Sequence, residues 1–299
     1  MLIISRYSRS EYLRTTVRSN GRSDLMAFFV RVLSVTAVGL AAAAGLAAYT
    51  GALDQFFGER IDLEGAELVF EDNFDALDVS AWGPGTRWIA HTPWNGDFGD
   101  AKFVDPREGF PFTVQDGVLS IEARRDEAGK WESGLLASAD PKGDGFSLLY
   151  GYFEMRARFP EGAGTWPAFW LIDRNEARTI EVDAVEHYGH EPARYSASLH
   201  VWDRQVPENS RSATGHVPVS ESSLYSGFHT YGVAVGPMTI DYYFNGRKVW
   251  SQPTPVELGD GSFYMLVDLG LGAGWPIEDA PDPSVMEVDY VKAWRLAGE

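Results

Sequence analysis

From about Leu68 onward the apolar residues recur at every second position in short runs, and Gly, Pro, Asn and Asp separate the runs. The clearest case is Tyr150 to Phe159. Tyr152, Glu154 and Arg156 share one face there, while Phe153, Met155, Ala157 and Phe159 share the other. That pattern predicts a strand with an apolar back packed between sheets and a polar front. Similar runs open at Leu68-Val69-Phe70 and cover 118–123, 165–172, 195–202, 228–235, 239–244, 248–251, 263–267 and 285–294. Asp116-Gly117 and Asn245-Gly246 are hairpin turns by composition. Many short strands, no βαβ rhythm and no internal repeat predict an all-β chain folded as an antiparallel sandwich.

One stretch departs from simple alternation. Glu181-Val182-Asp183-Ala184-Val185-Glu186 sets three carboxylates in six residues with aliphatic side chains between them. Glu181 and Asp183 fall on one face, and a spacing of five puts Glu186 on the other. A β-bulge, one inserted residue, would return Glu186 to the face of its partners. Three carboxylates on one face repel, so one is expected to hold its proton near neutral pH while another stays ionised. Two glutamates leaning inward over a concave sheet from backbones about 13 Å apart can approach the roughly 5–5.5 Å of a retaining glycosidase. A solvated acidic strand edge and a calcium ligand set are the competing readings of the isolated pattern.

The surroundings favour the chemistry. Trp166 and Trp170 share a strand face, each able to stack on a sugar ring. The loop-rich stretch between Trp82 and Phe112 carries Trp88, Trp94 and Asn95, as a binding surface would. Ser196, Ser198, His200 and Trp202 alternate onto one face. No HExxH pattern accompanies Glu186-His187 or His190-Glu191, which argues against a metalloenzyme. His187 and His190 read as loop residues.

Charge and composition narrow the partners. Positions 1–53 hold Arg6, Arg9, Arg14, Arg18, Arg22 and Arg31 against Glu11 and Asp24, and 32–53 carry no charge. This is expected to be a basic region followed by an export signal, either cleaved or retained as a membrane anchor, with Met26 as an alternative start. A linker is expected over 54–66 and a catalytic domain over 67–297. With six of 25 basic and two of 43 acidic residues in positions 1–53, the rest carries 19 and 41, a net −22. Such a field repels nucleic acid and suits a neutral or lightly substituted polymer. The absence of cysteine excludes disulfides and thiolate chemistry.

In order, LVFEDNFD at 68–75, DGVLSIEA at 116–123, YGYFEMRARFP at 150–160, TWPAFWLI at 165–172, EVDAVE at 181–186, SLHVW at 198–202, GAGWP at 272–276 and MEVDYVKAW at 286–294 resemble glycoside hydrolase family 16. These are jelly-roll β-glycanases that include laminarinases, lichenases and agarases. The resemblance implies a jelly-roll sandwich with a concave cleft. It implies Glu181 as nucleophile, Glu186 as acid/base and Asp183 as the assistant between them. It places Glu154, Arg156, Trp170, His200, Trp202 and Trp275 in the cleft, with Trp94 and Asn95 closing the glycone end; Trp166 joins them by strand phase. No catalytic cofactor is implied. A structural calcium on the convex side is expected at Asp289, with Glu71 as a second ligand. Laminarinases commonly carry Trp-Pro shortly before the nucleophile, where this chain has Glu176-Ala177-Arg178-Thr179-Ile180. The resemblance implies a retaining endo-β-glycanase acting on β-1,3 or β-1,4 linkages of a glucan or bacterial exopolysaccharide, and the N-terminal segment adds the expectation that it is exported; a monomer is expected. A transglycosylase and a non-catalytic glycan-binding jelly roll are the alternatives.

Overall fold

The computed structural model describes residues 58–175, 177–259 and 261–297. The basic region and apolar stretch of positions 1–53 lie outside the described residues. No helix among the described residues is long and apolar enough to cross a membrane.

Among the described residues eighteen strands form in chain order. They are β1 (Glu67–Asp72), β2 (Val79–Ser80), β3 (Trp88–Ile89), β4 (Lys102–Phe103), β5 (Phe112–Gln115), β6 (Val118–Arg125), β7 (Trp131–Ser133), β8 (Leu135–Ala137) and β9 (Gly151–Arg158). Then follow β10 (Thr165–Ile172), β11 (Arg178–Glu186), β12 (Arg194–Asp203), β13 (Arg211–Pro218), β14 (His229–Val235), β15 (Thr239–Phe244), β16 (Arg247–Pro253), β17 (Tyr264–Leu271) and β18 (Ser284–Arg295). The first sheet runs β16-β15-β14-β9-β18-β6-β7-β4, with β1 on β18 and β5 on β6. The second runs β13-β12-β11-β10-β17-β8-β3-β2. Pairing is antiparallel except at β2–β3 and β4–β7.

Alternation drives the packing. Phe153, Met155, Ala157 and Phe159 of the first sheet meet Phe169, Leu171, Ile180, Val182 and Leu199 of the second in one core. The two predicted hairpins form where Asp116, Gly117, Asn245 and Gly246 all take positive φ, as tight primed turns demand. A second apolar cluster lies on the outer face of the second sheet. The loop-rich stretch folds over Ile89, Leu135, Ala137, Trp170, Tyr264 and Leu266, with Phe98 packed against them. That cover leaves the outer face of β10 to β13 as a groove. Trp88 belongs to the core, 1% exposed, its indole N–H donating to Asp72 at 2.8 Å, and does not reach the binding surface expected of its loop.

The described part of the expected linker is part of the domain. Ile61 and Leu63 pack on Tyr152, Ala234 and Tyr243 at the outer face of the first sheet, and the Ile61 N–H donates to Gly246 O at 3.0 Å. The edge strand β13 was not predicted. Its sequence RSATGHVP exposes polar groups on both faces and carries no apolar alternation.

Candidate active site

The bulge is present. On the β12 side Asp183 pairs with Ser198 and Glu186 with Ser196, so β11 advances three residues while its partner advances two. On the β10 side Trp170 pairs with Asp183 and Phe169 with Val185, again leaving one residue over. Ala184 and Val185 both turn into the core, 1% and 0% exposed. Glu186 thereby shares the groove face with Glu181 and Asp183.

Each acid has a defined setting. Glu186 Oε1 accepts from the Trp166 indole N–H at 3.2 Å and from the Tyr188 hydroxyl at 3.0 Å; Oε2 accepts from Ser198 at 3.4 Å. Glu181 accepts from the Trp202 indole N–H at 3.3 Å. Asp183 lies between them, 4% exposed, with Oδ2 3.2 Å from His200 Nε2 but without hydrogen-bond geometry to any partner. His200 is steadied by Ser212 at 2.5 Å and by Trp202, stacked at 5.0 Å and 6°. Burial lifts Glu181 to about 8; Asp183 pushes the same way, and His200 and Trp202 oppose. Burial, then Glu186 and Asp268, hold Asp183 well above the usual carboxylate range. Asp183 is the most enclosed of the three, so we assign it a proton of its own, distinct from any proton on Glu186. With Asp183 neutral, its repulsion of Glu181 disappears and the nearby donors favour an ionised Glu181.

Beneath the acids lies Asp268, fully buried and pushed up to about 7 chiefly by that burial. It accepts from the Trp170 indole at 2.8 Å and from the Gly270 N–H at 3.1 Å. Trp170 is therefore not an open sugar platform: it is 6% exposed, with Phe98 at 5.9 Å and Trp94 at 6.1 Å. Trp166 is half-buried, lies nearly parallel to Tyr188 at 6.1 Å, and holds Glu186. Trp94 and Asn95 stand exposed at the Glu181 end, with Asn95 at φ +55° in a tight turn. Trp275, 50% exposed, lies against His190 at 4.2 Å at the Glu186 end.

Glu154 and Arg156 are not in the groove. They lie on β9, on the outer face of the other sheet, because alternation separates a polar face from an apolar one without saying which sheet a strand joins. Glu154 accepts from Tyr152 at 2.6 Å and Tyr290 at 2.7 Å, and Arg156 pairs with Asp289. The expected calcium ligands do not fit a metal. Asp289 is neutralised by Arg156 and Glu71 by Lys292 at 2.7 Å. Among the described residues the cluster of three metal-ligating types is Glu181, Asp183 and His200, and a histidine is not a calcium ligand. His187 is a loop residue just past β11, as its position predicts, but it is fully buried, and its Nδ1–H donates to Arg194 O at 3.1 Å.

The family model of glycosyl hydrolases family 16 matches residues 110–290. The chain belongs to that family. Two relatives of this family 16 chain come from Rhizobium meliloti strain 1021. Endo-1,3-1,4-beta-glycanase EglC is 31% identical, over 80% of this chain and 54% of the relative. Endo-1,3-1,4-beta-glycanase ExsH is 37% identical, over 62% and 40%. The chain thus spans about half the length of these relatives. The endo-1,3-beta-glucanase (laminarinase) catalytic domain from Thermotoga petrophila shares the fold with a TM-score of 0.61 at 22% identity, over 78% of this chain and 99% of that domain. Glycosidases of family 16 need no catalytic cofactor. Sequence reasoning missed three groups of this family 16 site: Tyr188, the buried Asp268, and Ser198 as a donor to Glu186. Asp268 left one signal, a lone carboxylate in the apolar run YMLVDLGL.

Proposed function

We propose that the chain is a retaining endo-β-glycanase. The observation that carries this is the bulge in β11, which sets Glu181 and Glu186 on one groove face with the buried Asp183 between them. Glu186, aimed by Trp166, Tyr188 and Ser198, gives its proton to the glycosidic oxygen. A Glu181 oxygen meanwhile attacks the anomeric carbon, the bond to the leaving sugar breaks, and a glycosyl-enzyme forms. Glu186 then takes a proton from water, the water oxygen bonds to the anomeric carbon, and Glu181 leaves as carboxylate. Asp183 supplies no proton to the sugar; it keeps the charge between the glutamates low and positions Glu181. Open surface beyond both glutamates, with Trp94 at one end and Trp275 at the other, supports cutting within a chain. The relatives' names support a β-glycan with 1,3 and 1,4 linkages as the polymer class.

Digestion of β-1,3, β-1,4 and mixed-linkage glucans, with product sizing and proton NMR of the first-formed anomer, tests this. Internal cleavage with the β-anomer appearing first is expected. Glu181→Gln and Glu186→Gln should each lose at least about a hundredfold in kcat. An α-anomer first, or unchanged release by both variants, would sink the mechanism.

A further inference from the structure

Beyond Glu181, at the end of the groove away from Trp275, lies a cavity of about 590 Å³ walled by Trp94, Ile172 and Tyr264. Its rim carries Lys142, Arg174 and Arg204. Strand register ties it to the reacting acids: Ile172 is opposite Glu181, and Tyr264 is opposite Ile172. Arg204 Nε donates to Thr179 Oγ1 at 3.2 Å, and Thr179 precedes Glu181 by about 7 Å of strand. The Arg174 guanidinium lies 5.8 Å over the Tyr264 ring. Gly143 lets it lie there, since a Cβ at that position would run into the guanidinium.

The charges are out of character with the rest of the molecule. Residues 54–299 carry a net −22, and the neighbouring Arg178 and Arg211 are paired with Asp203 at 3.2 Å and Glu257 at 2.7 Å. Among the described residues neither Arg174 nor Arg204 has a carboxylate partner. The two acids in the cavity wall are engaged below the rim. Asp140 accepts from the N–H groups of Lys142 and Asp144, both at 2.9 Å. Asp173 accepts from Ile180 at 3.0 Å and Asn175 at 3.3 Å. Both are 5% exposed or less, so they build their loops and leave the cations facing the opening. The second oxygen of Asp173 is buried without a hydrogen-bond partner.

We propose that this cavity is a subsite for one anionic substituent, a carboxylate or a sulfate ester, on a sugar at the glycone side of the cleaved bond. The inference rests on the glycanase reading for that side's name. Two guanidinium groups match the paired oxygens of either anion. The protein thereby selects a sparsely acidic glycan over a plain one. Such a substrate is compatible with the overall charge, because a single anion inside the rim sits within a Debye length of its cations while a dense polyanion meets the whole field.

The test measures binding first. Neutral, partially carboxylated and partially sulfated mixed-linkage β-glucan oligosaccharides of one length are titrated into the Glu181→Gln protein at low and high salt. An anionic oligosaccharide should bind about tenfold more tightly than the neutral one at low salt. The larger of the two advantages names the substituent. The advantage should vanish at high salt and in Arg174→Gln/Arg204→Gln, whose melting temperature is expected to stay unchanged. Gly143→Ala should weaken it while keeping both charges. With active protein, mapped products should carry the substituent in the fragment ending at the new reducing end. Equal binding of neutral and anionic oligosaccharides, or a preference that survives the double variant, overturns the subsite. Absence of cleavage would overturn the glycanase reading while the titrations still decide this one.

Discussion

Removing a single residue from β11 tests the bulge directly. Deleting Ala184 leaves Asp183 opposite Ser198 and Glu186 opposite Ser196, with Val185 falling opposite the vacant Ala197; on the other side Trp170 and Phe169 keep Asp183 and Val185. Both neighbours are then in register, and all three acids stay on the groove face. The loss is one buried methyl and the local kink, about 1 kcal/mol by burial, or roughly 2–4 °C in Tm for a domain of this size. The extra twist that aims Glu186 also goes, and a shift of about 1 Å at the acid should cost on the order of a hundredfold in kcat/KM. Deleting Val182 is the contrast. Val182 is regularly paired with Leu171 and Leu199, so its loss slips the strand and drives Glu181 or Asp183 toward the space between the sheets. A carboxyl buried there without a partner, plus lost aliphatic packing, costs roughly 5 kcal/mol or more, enough to threaten a stability of about 5–15 kcal/mol. Thermal melts and reducing-sugar assays on both proteins decide it. Should loss of Ala184 unfold the chain as thoroughly as loss of Val182, the surplus residue is not surplus and the reasoning fails.

Burial and mutual repulsion disfavour charge on the Glu181–Asp183 pair, so the pair's stabilising contribution is present below about 4.5 and is lost as pH rises toward 8, where Glu181 is ionised beside Asp183. The full shift would be roughly 5 kcal/mol; coupling to Asp183 and partial exposure cut this to about 1–2 kcal/mol. Glu181→Gln should therefore melt a few degrees above the parent at pH 8 and together with it at pH 4.5, and calorimetry at the two pH values checks this. His187 runs the other way, lowered by burial from 6.5 to about 4, so stability present above 6.5 falls as pH drops toward 4. Urea midpoints of His187→Gln should lose that dependence, at a constant cost from the lost hydrogen bonds. Trp275→Ala removes an exposed platform at the Glu186 end and should raise KM about three- to tenfold with kcat little changed; a fall in kcat alone would place Trp275 elsewhere in the reaction.

How much of this was legible in the chain follows from what kind of fact each feature is. Parity is a property of spacing, so the misfit of Glu186 and its repair by one residue could be read from the amino-acid order alone. The strand runs were legible for the same reason. Depth is not a property of spacing. Trp166 and Trp170 share a face, but the folded-over loop buries one and leaves the other half-open. Sheet membership is equally silent in the pattern, since both sheets carry polar side chains on their outer faces; Glu154 and Arg156 went to the far one. Tyr188 sits beyond the strand end, where alternation says nothing about direction. The segment 58–66 is polar enough to read as a linker, yet two aliphatic side chains, Ile61 and Leu63, dock it.

The four carboxyl groups of the site also explain why the sandwich is built so heavily beneath them. Asp268 and Asp183 lie where water is excluded; that burial and the nearby Glu186 raise the tendency of both to keep a proton, and Asp268 adds to the effect on Asp183. An isolated strand would expel such a pair or bulge differently to hydrate it. Here β11 is gripped on both edges by β10 and β12, and its back, Ile180, Val182, Ala184 and Val185, is wholly buried. The aliphatic side chains between the acids are thus the reason the acids stay where they repel one another. Weakening that back should relax the carboxylates into water before it unfolds the domain, so activity is expected to fail at milder stress than secondary structure.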